Sequence, residues 1–448
     1  MIARFFLVLI VLVFSFNRAA LAQTITPEPI AVPPSEFPLP SAELDKQVAA
    51  NDTAALRQHA WILWSGVTAD STQSFQGQKL PIWETWLSEQ EAFAGPALTA
   101  SVARQARSLR PFAIPRQLSH RTVRSGNLLS MQIAPSAAKS RLLAFVKLSP
   151  DSANFVAVSH PTPNPGGPDT NYTKSSDLDR LNAYFNQNAT PVANRKIVDF
   201  PAAATDLKMV FVPAKADQLS AIPLWAGPQN SSSPSQPTPD TWNQCVAVDP
   251  SNSRSGTTQI DCNGKTVTAQ IVPLTSFYAI KVDEDTASRI NTTLSLSGAS
   301  SLASGDYQIL LAMHITTKEI ANWTWQTFWW QNGQNPPGNI PGSVDGMLGP
   351  DRIKGPWRSY AMCISDSIVF PPTDPKGNPV VCYNPFLETA QADGINSNCM
   401  SCHARATYPG APYPDTYIPN GWLDMADPAL FSDQVKTDFV WAIQGSAH

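Results

Sequence analysis

Alternating apolar and polar residues, the period of a β-strand, dominate the second half of this chain. Residues 257–262 and 265–272 form two such runs around Asn263-Gly264, a pair that favours a type I′ hairpin turn. Residues 306–317 also alternate, but both of their faces are largely apolar, which is typical of a central strand. Residues 323–330 continue in the same style. These patterns predict an antiparallel β body.

Helical patterns occur at four places along the chain. Residues 59–64 (HAWILW) predict a buried helix, and Trp83 and Trp86, three residues apart, would share one face of a second. Weaker patterns predict a helix at 176–185 and a strand at 207–212. Near the C-terminus, residues 432–443 predict one further helix.

These patterns predict an α+β, β-rich fold with an antiparallel β body and a short, mainly helical segment at the C-terminus. The 41 prolines among 448 residues exceed the usual ~5%, so we expect many turns and ordered loops. Composition divides the chain into a signal peptide, a Pro-rich tether, a mixed α/β region, a β-rich region and a C-terminal segment. Their bounds are 1–22, 23–45, 46–226, 241–390 and 391–448.

The N-terminus has the features of an export signal. Arg4 precedes an apolar run at 5–16, and Ala20-Leu21-Ala22 fits cleavage before Gln23. The run is shorter than the ~20 residues of a membrane-spanning helix, and no later stretch is apolar enough to span a bilayer. We expect a periplasmic protein without a membrane span after signal removal. The formal charge of −4 gives no basic surface for nucleic acid.

The chain has six cysteines, and four of them lie outside the motif described next: Cys245, Cys262, Cys363 and Cys382. In an oxidising compartment an even number predicts disulfides, here two. Each consecutive pair flanks a polar or turn-forming segment, so we favour Cys245 with Cys262 and Cys363 with Cys382. Four cysteines allow three connectivities, and a metal site is a further alternative.

Cys399-Met400-Ser401-Cys402-His403 is a C-x-x-C-H motif, the attachment sequence of a c-type haem. Cys399 and Cys402 would bind the haem through thioethers, and His403 would be the proximal iron ligand. A zinc knuckle would need two more ligands at suitable spacing, and a disulfide oxidoreductase motif would need a βαβ setting. A single motif predicts one covalent haem c.

The iron ligand opposite His403 remains open in the sequence. Met425 is the only methionine downstream of the motif and would favour electron transfer as a ligand. His314, in the apolar strand at 306–317, would instead give bis-histidine ligation. The remaining alternatives are other histidines, or an open site holding water; those histidines are His59, His120 and His160. Because only about 45 residues follow His403, we expect the haem to lean on the larger body.

Several short segments together resemble large exported bacterial proteins of the cytochrome c family. They are Trp61 to Trp64, Trp83-Glu84-Thr85-Trp86, His314-Ile315-x-x-Lys318, Trp323-x-Trp325-x-Thr327-Phe328, and Glu388-Thr389 ahead of the C-x-x-C-H motif. The resemblance spans much of the mature chain, and it implies haem binding and electron transfer. It also favours His314, since His-Ile-x-x-Lys belongs to the shared pattern. Trp329-Trp330 departs from it, because a Glu-His pair is expected there.

These features predict a periplasmic monohaem cytochrome that exchanges single electrons with a redox partner protein. The size of the chain, far more than a carrier needs, motivates two alternatives. One is a peroxidase- or oxidoreductase-like haem enzyme with its pocket in the β body, and the other is a redox- or ligand-sensing subunit. Sequence signs of catalysis are few: G-x-S-x-G, P-loop and H-E-x-x-H motifs are missing. Lys318-Glu319 could be a polar pocket group, but we expect a solvated strand end.

Overall fold

The computed structural model describes most of the chain after the predicted signal peptide. The described residues are 25–94, 110–115, 119–121, 131–133, 141–163, 165–227, 239–333, 341–368, 372–374, 376–390, 394–410 and 424–447. The signal at 1–22 and its cleavage site lie outside them. Within them, ten α-helices are numbered α1 to α10: Ser41–Ala49, Thr53–Thr68, Ile82–Thr85, Glu89–Phe93, Pro150–Ala157, Ser175–Gln187, Glu284–Thr293, Cys399–His403, Pro428–Phe431 and Trp441–Ser446.

The strands of the described residues are short, apart from those at the centre of the fold. Numbered β1 to β19, they are Asp70–Phe75, Gln78–Pro81, Leu87–Ser88, Ser119–Arg121, Met131–Ile133, Leu143–Leu148, Ser159–His160, Thr170–Asn171, Thr205–Ala214, Ser220–Pro223, Cys245–Asp249, Thr257–Cys262, Lys265–Pro273, Ala279–Lys281, Tyr307–Thr317, Thr324–Trp330, Tyr360–Ile364, Thr407–Tyr408 and Val435–Lys436. The expected α+β, β-rich fold with antiparallel sheets is confirmed.

A seven-stranded antiparallel sheet forms the centre of the molecule. Its order is β17-β16-β15-β9-β6-β3, and β14 also pairs with β15. The apolar run at 306–317 is indeed a central strand, because β15 lies between β9 and β16. Strands β3, β6 and β9 come from the region at 46–226, and the others come from 241–390. The two regions therefore share one sheet.

A four-stranded sheet of order β10-β11-β13-β12 lies beside it, with β11 and β13 parallel and the other pairs antiparallel. The predicted hairpin is confirmed: β12 and β13 pair through Asn263 and Gly264, whose φ angles of 55° and 83° suit a type I′ turn. The disulfide between Cys245 and Cys262 joins β11 to β12. Both favoured disulfides are present, since Cys363 is also bonded to Cys382.

One face of the central sheet is covered by α2, the helix predicted at 59–64. The Asp52 side chain caps it by accepting a hydrogen bond from the Ala55 backbone N–H at 3.1 Å. Trp64 stacks on Phe328 of β16 with ring centroids 4.3 Å apart, and both side chains are fully buried. Such a pair contributes roughly 0.5–1.5 kcal/mol beyond the area it buries. Burial of this aromatic layer orients α2 on the sheet.

The Pro-rich stretch predicted as a tether or extended arm lies along the body from residue 25 onwards. The Trp86 indole N–H donates to the Glu28 carbonyl at 2.7 Å, and the Leu39 N–H donates to Glu319 at 2.7 Å. Helix α1 begins at Ser41, within the stretch 23–45. These contacts connect the arm to the residue before the edge strand β3 and to the segment that follows the central strand β15.

The C-terminal segment leans on the body through a second hydrophobic core. In that core Met400, Val435 and Ile443 pack with Trp325 and with apolar residues of α5 and α6. The helix expected at 432–443 is wrong: β19 and a loop occupy most of this stretch, and α10 begins only at Trp441. The Lys436 N–H donates to the Arg195 carbonyl at 2.9 Å, so pairing with distant segments overrides the local helical pattern.

Candidate functional site

The C-x-x-C-H motif forms the one-turn helix α8. The Asn398 side chain caps it by accepting a hydrogen bond from the Ser401 N–H at 2.8 Å. Positions three and four apart share a helix face, so this turn places Cys399, Cys402 and His403 on one side. Met400 faces the second core and is fully buried. The motif thus presents two thiols and one imidazole together.

Neither thiol of the motif is bonded in a disulfide, and both side chains are partly buried. Burial raises the pKa of Cys399 well above its ordinary value, and the nearby Glu388 carboxyl raises it further. The Cys399 thiol therefore carries its proton at neutral pH, which makes it a poor nucleophile of the thioredoxin kind.

The imidazole of His403 is held on two sides. Its Nδ1 lies 2.9 Å from the Phe439 carbonyl oxygen, and its ring centroid lies 4.6 Å from that of Trp325. Burial lowers the pKa of His403 to about 4; the Phe439 carbonyl opposes this shift and Lys208 adds to it. The ring is neutral at pH 7, so Nδ1–H is the donor to the carbonyl and Nε2 keeps its lone pair.

Helix α8 packs against the face of the central sheet opposite α2. Four residues lie in one row across this face, each directly opposite the next on β9, β15, β16 and β17: Lys208, His314, Thr327 and Cys363. Directly opposite residues point to the same side of a sheet. Trp325, two residues before Thr327, points the same way and contacts His403. His314 and His403 are therefore on the same side of the sheet.

The Nε2 atom of His314 is buried, and no group among the described residues is hydrogen-bonded to it. Among the described residues, the nearest carboxylate oxygen is Oε1 of Glu388, which is 3.6 Å away and beyond hydrogen-bond distance. Burial lowers the pKa of His314 to about 3, and Lys208 and His403 lower it further. The imidazole of His314 is therefore also neutral, and its buried Nε2 makes no hydrogen bond within the described part of the chain.

The second disulfide fastens the segment before the motif to this face of the sheet. Cys382 is bonded to Cys363 of β17, and its backbone N–H donates to the Ser397 carbonyl at 2.9 Å. Further along, Gly394 approaches the Glu388 carbonyl so closely that a Cβ atom would collide with it. The disulfide and this close approach position both Glu388 and the start of α8.

The other candidate ligands lie in different surroundings. Met425 is partly buried in a small cluster beside Ala404 and Phe431, next to residues outside the described part of the chain. His59 Nε2 lies 2.9 Å from Glu319, and His160 Nε2 lies 2.8 Å from the Phe155 carbonyl oxygen. The side chain of His120 is outside the described residues.

Several residues of the site were not predicted from the sequence. Lys318 and Glu319 are not a solvated strand end: their exposed fractions are 6% and 2%, and they pair with Asp438 and His59. Lys208 on the sheet face and the carbonyl of Phe439 were missed entirely. A signal for Lys208 did exist, since it is the one charged residue within the apolar run at 207–212.

The described residues contain no group of three or more His, Cys, Asp or Glu side chains that would hold a bare metal ion. Among them, each helix is also too short or too polar to cross a membrane. No protein-family model, curated protein or solved structure matches this chain. The resemblance to cytochrome c family proteins therefore stays a prediction, and the function rests on the site itself.

Proposed function

We propose that this protein is an exported monohaem c-type cytochrome that transfers single electrons to and from a periplasmic redox partner. Cys399 and Cys402 would hold one haem c through thioethers, and His403 would be its proximal iron ligand. Two disulfides in the chain are compatible with export to an oxidising compartment. When bound, haem would supply a one-electron iron couple.

The observation that carries this proposal is the shared orientation of the three motif side chains. Two thiols outside any disulfide lie on the same side of one helical turn as a neutral imidazole. The Phe439 carbonyl engages Nδ1 of that imidazole and leaves Nε2 for a metal, an arrangement usual for metal-binding histidines. This donor set fits a covalent haem.

Attachment requires only the two thiols and the vinyl groups of haem. Each thiol would add across one vinyl group: a sulfur–carbon bond forms, and the thiol hydrogen passes to the neighbouring vinyl carbon. The addition consumes no oxidant.

We further propose His314 as the ligand opposite His403. Its support is the buried Nε2 atom, which has no hydrogen bond to any described residue; a buried polar atom left unpaired is costly and calls for a partner. The side chain is neutral and projects from the sheet face on which α8 packs. Met425 lies instead in an apolar cluster, where a methionine is ordinary packing.

A second candidate, a haem enzyme with an open iron position, is favoured by the ionisable groups around His314. Glu388 is 3.6 Å from the imidazole, and Lys208 is directly opposite on the neighbouring strand. If His314 did not bind the iron, its imidazole together with Glu388 and Lys208 could transfer protons to or from a substrate. Carbon monoxide separates the two candidates, because it binds ferrous haem only where a position is open or easily vacated.

The test uses the full chain, expressed in a bacterium with a c-type cytochrome maturation system. We expect one haem per chain that survives denaturation. Cys399→Ser or Cys402→Ser should leave one thioether, and the double variant should lose covalent haem. The double variant Cys245→Ser with Cys262→Ser is the control and should keep it. Wild-type protein without covalent haem would contradict the proposal.

The same preparations test the opposite ligand. We expect wild-type protein to be six-coordinate and inert to carbon monoxide, and His314→Leu to bind it, while Met425→Leu keeps the wild-type spectrum. Loss of a methionine-ligation band in Met425→Leu, with His314→Leu unchanged, would assign the ligand to Met425. Rapid carbon monoxide binding by wild-type protein would favour the enzyme.

A further inference from the structure

The loop that presents the Phe439 carbonyl to His403 has an unusual backbone. It joins β19 to α10, and its residues Asp438 and Phe439 have φ angles of 48° and 68°. Residues other than glycine rarely adopt this left-handed region, and doing so costs on the order of 1 kcal/mol or more for each. Contacts outside the loop must therefore hold it in this conformation.

One hydrogen bond connects the loop to the segment just after α8, and another closes the turn itself. The Thr437 N–H donates to the Ala406 carbonyl at 3.0 Å, and the Thr437 hydroxyl donates to the Val440 carbonyl at 2.9 Å. The first fixes the start of the turn relative to the motif, and the second joins the two ends of the turn. The residue at the centre of the turn is held separately.

That residue, Asp438, forms a buried ion pair with Lys318. Lys318 Nζ lies 2.6 Å from Asp438 Oδ1, and each side chain is only 5% exposed. The other carboxylate oxygen accepts a hydrogen bond from the Phe200 N–H at 3.0 Å. Lys318 Nζ also donates to the Ala321 carbonyl at 2.8 Å. The pair is thus hydrogen-bonded on both sides, as a buried ion pair must be to persist.

Lys318 follows directly after β15, four residues beyond His314. The ion pair therefore connects the loop behind His403 to the strand that carries the proposed opposite ligand. A hydrogen bond from Nδ1 of a metal-binding histidine fixes its tautomer and increases its electron donation to the metal. Both depend on where the acceptor carbonyl lies.

We propose that Lys318 and Asp438 are positioning residues for His403: their ion pair holds the Phe439 carbonyl against Nδ1 and so sets the iron reduction potential. This inference rests on the proposed function. Breaking the pair should let the loop relax, weaken the hydrogen bond and reduce electron donation by the imidazole. Electron donation by the imidazole stabilises ferric iron more than ferrous iron. Weaker donation would therefore raise the reduction potential.

The experiment compares midpoint potentials of the full-length haem protein by spectroelectrochemistry. We expect Lys318→Met to shift the ferric–ferrous equilibrium about tenfold towards the reduced form, which is about 59 mV for one electron. Lys318→Arg should retain the wild-type midpoint potential, because arginine keeps the positive charge of the ion pair. Asp438→Asn, which preserves the shape of the side chain, should shift the potential in the same direction and serves if Lys318→Met does not fold.

A matched control is Lys215→Met, which removes an equally short ion pair to Asp306, also 2.6 Å, in another part of the molecule. It should lower stability without moving the potential. Wild-type potentials in both Lys318→Met and Asp438→Asn, with haem fully attached, would overturn this inference and leave the proposed function intact. Wild-type protein lacking haem would instead overturn both.

Discussion

The two faces of the central sheet differ in what they bury. Towards α2, neighbouring strands present Met313 and Phe328, and the layer is aromatic and aliphatic. Towards α8, the same strands present His314 and Thr327, next in sequence to these two. Successive residues of a strand point to opposite faces, so β15 and β16 each contribute to a hydrophobic core and to the candidate site. Substitutions on one face of these two strands should therefore affect mainly stability, and substitutions on the other face should affect mainly the candidate site.

Phe328 and Thr327 provide the largest test of this separation. Both are fully buried neighbours on β16 that point to opposite faces. We expect Phe328→Ala to lower the free energy of unfolding by about 3–5 kcal/mol, because it leaves a cavity under Trp64. Thr327→Ala should cost about 1–2 kcal/mol, because it removes the acceptor of the Asn384 amide hydrogen bond at 2.9 Å.

Chemical denaturation measures both values, and the absorption spectrum of the folded fraction reports the haem environment. Phe328→Ala should leave that spectrum as in wild type. A larger loss of stability in Thr327→Ala than in Phe328→Ala would contradict the division of the sheet into a stabilising face and a functional face.

The two disulfides allow the same comparison at the level of loops. They close loops of similar length, with sequence separations of 17 and 19 residues. On the chain-entropy model each stabilises the fold by roughly 3 kcal/mol. Replacing either pair by serines should therefore lower stability by a similar amount. Only the pair Cys363 and Cys382 should also reduce the yield of covalent haem, since Cys382 is hydrogen-bonded to the residue before the cap of α8.

The measurement is haem content per folded chain, after correction for expression. Equal haem content in the two double variants would show that the second disulfide has no special connection with α8.

Local patterns in the sequence predicted what depends on neighbouring residues. The central strand, the hairpin at Asn263-Gly264 and the pairing of the cysteines all follow from short segments. The surroundings of His403 could not be predicted in this way. Its acceptor carbonyl belongs to Phe439, 36 residues away, in a turn that its residue types do not favour. Lys318 looked solvated because its partner, Asp438, is 120 residues distant.

Asp206 gives the smallest and most specific test of the polar face. It lies opposite Thr316 on β15, in the same row as Trp325, and its Oδ1 is buried without a hydrogen bond among the described residues. Burial raises the pKa of Asp206 to about 7; Ser152 opposes this shift, and the Glu89 and Asp438 carboxyls add to it. Asp206 is therefore protonated more readily in the folded protein than in the unfolded chain.

The sign of the pH dependence follows from that difference. Between about pH 4, where an unfolded aspartate titrates, and pH 7 the folded state binds more protons, so this contribution to stability falls as the pH rises. The side chain introduced by Asp206→Asn cannot ionise, so this variant should be more stable than wild type at pH 8. The gain should be on the order of 1–2 kcal/mol, because solvent screens a side chain that is partly exposed. The gain should vanish near pH 4.

Unfolding by denaturant at pH 4, 6 and 8 checks this expectation. Asp285→Asn is the control, because the Asp285 side chain is 80% exposed. The difference in stability between this variant and wild type should not change with pH in the way expected for Asp206→Asn. If Asp206→Asn were less stable than wild type at pH 8, the carboxylate would be a paired group in the folded protein. The polar face would then be held together by its charges rather than by the neutral side chains on which the candidate site depends.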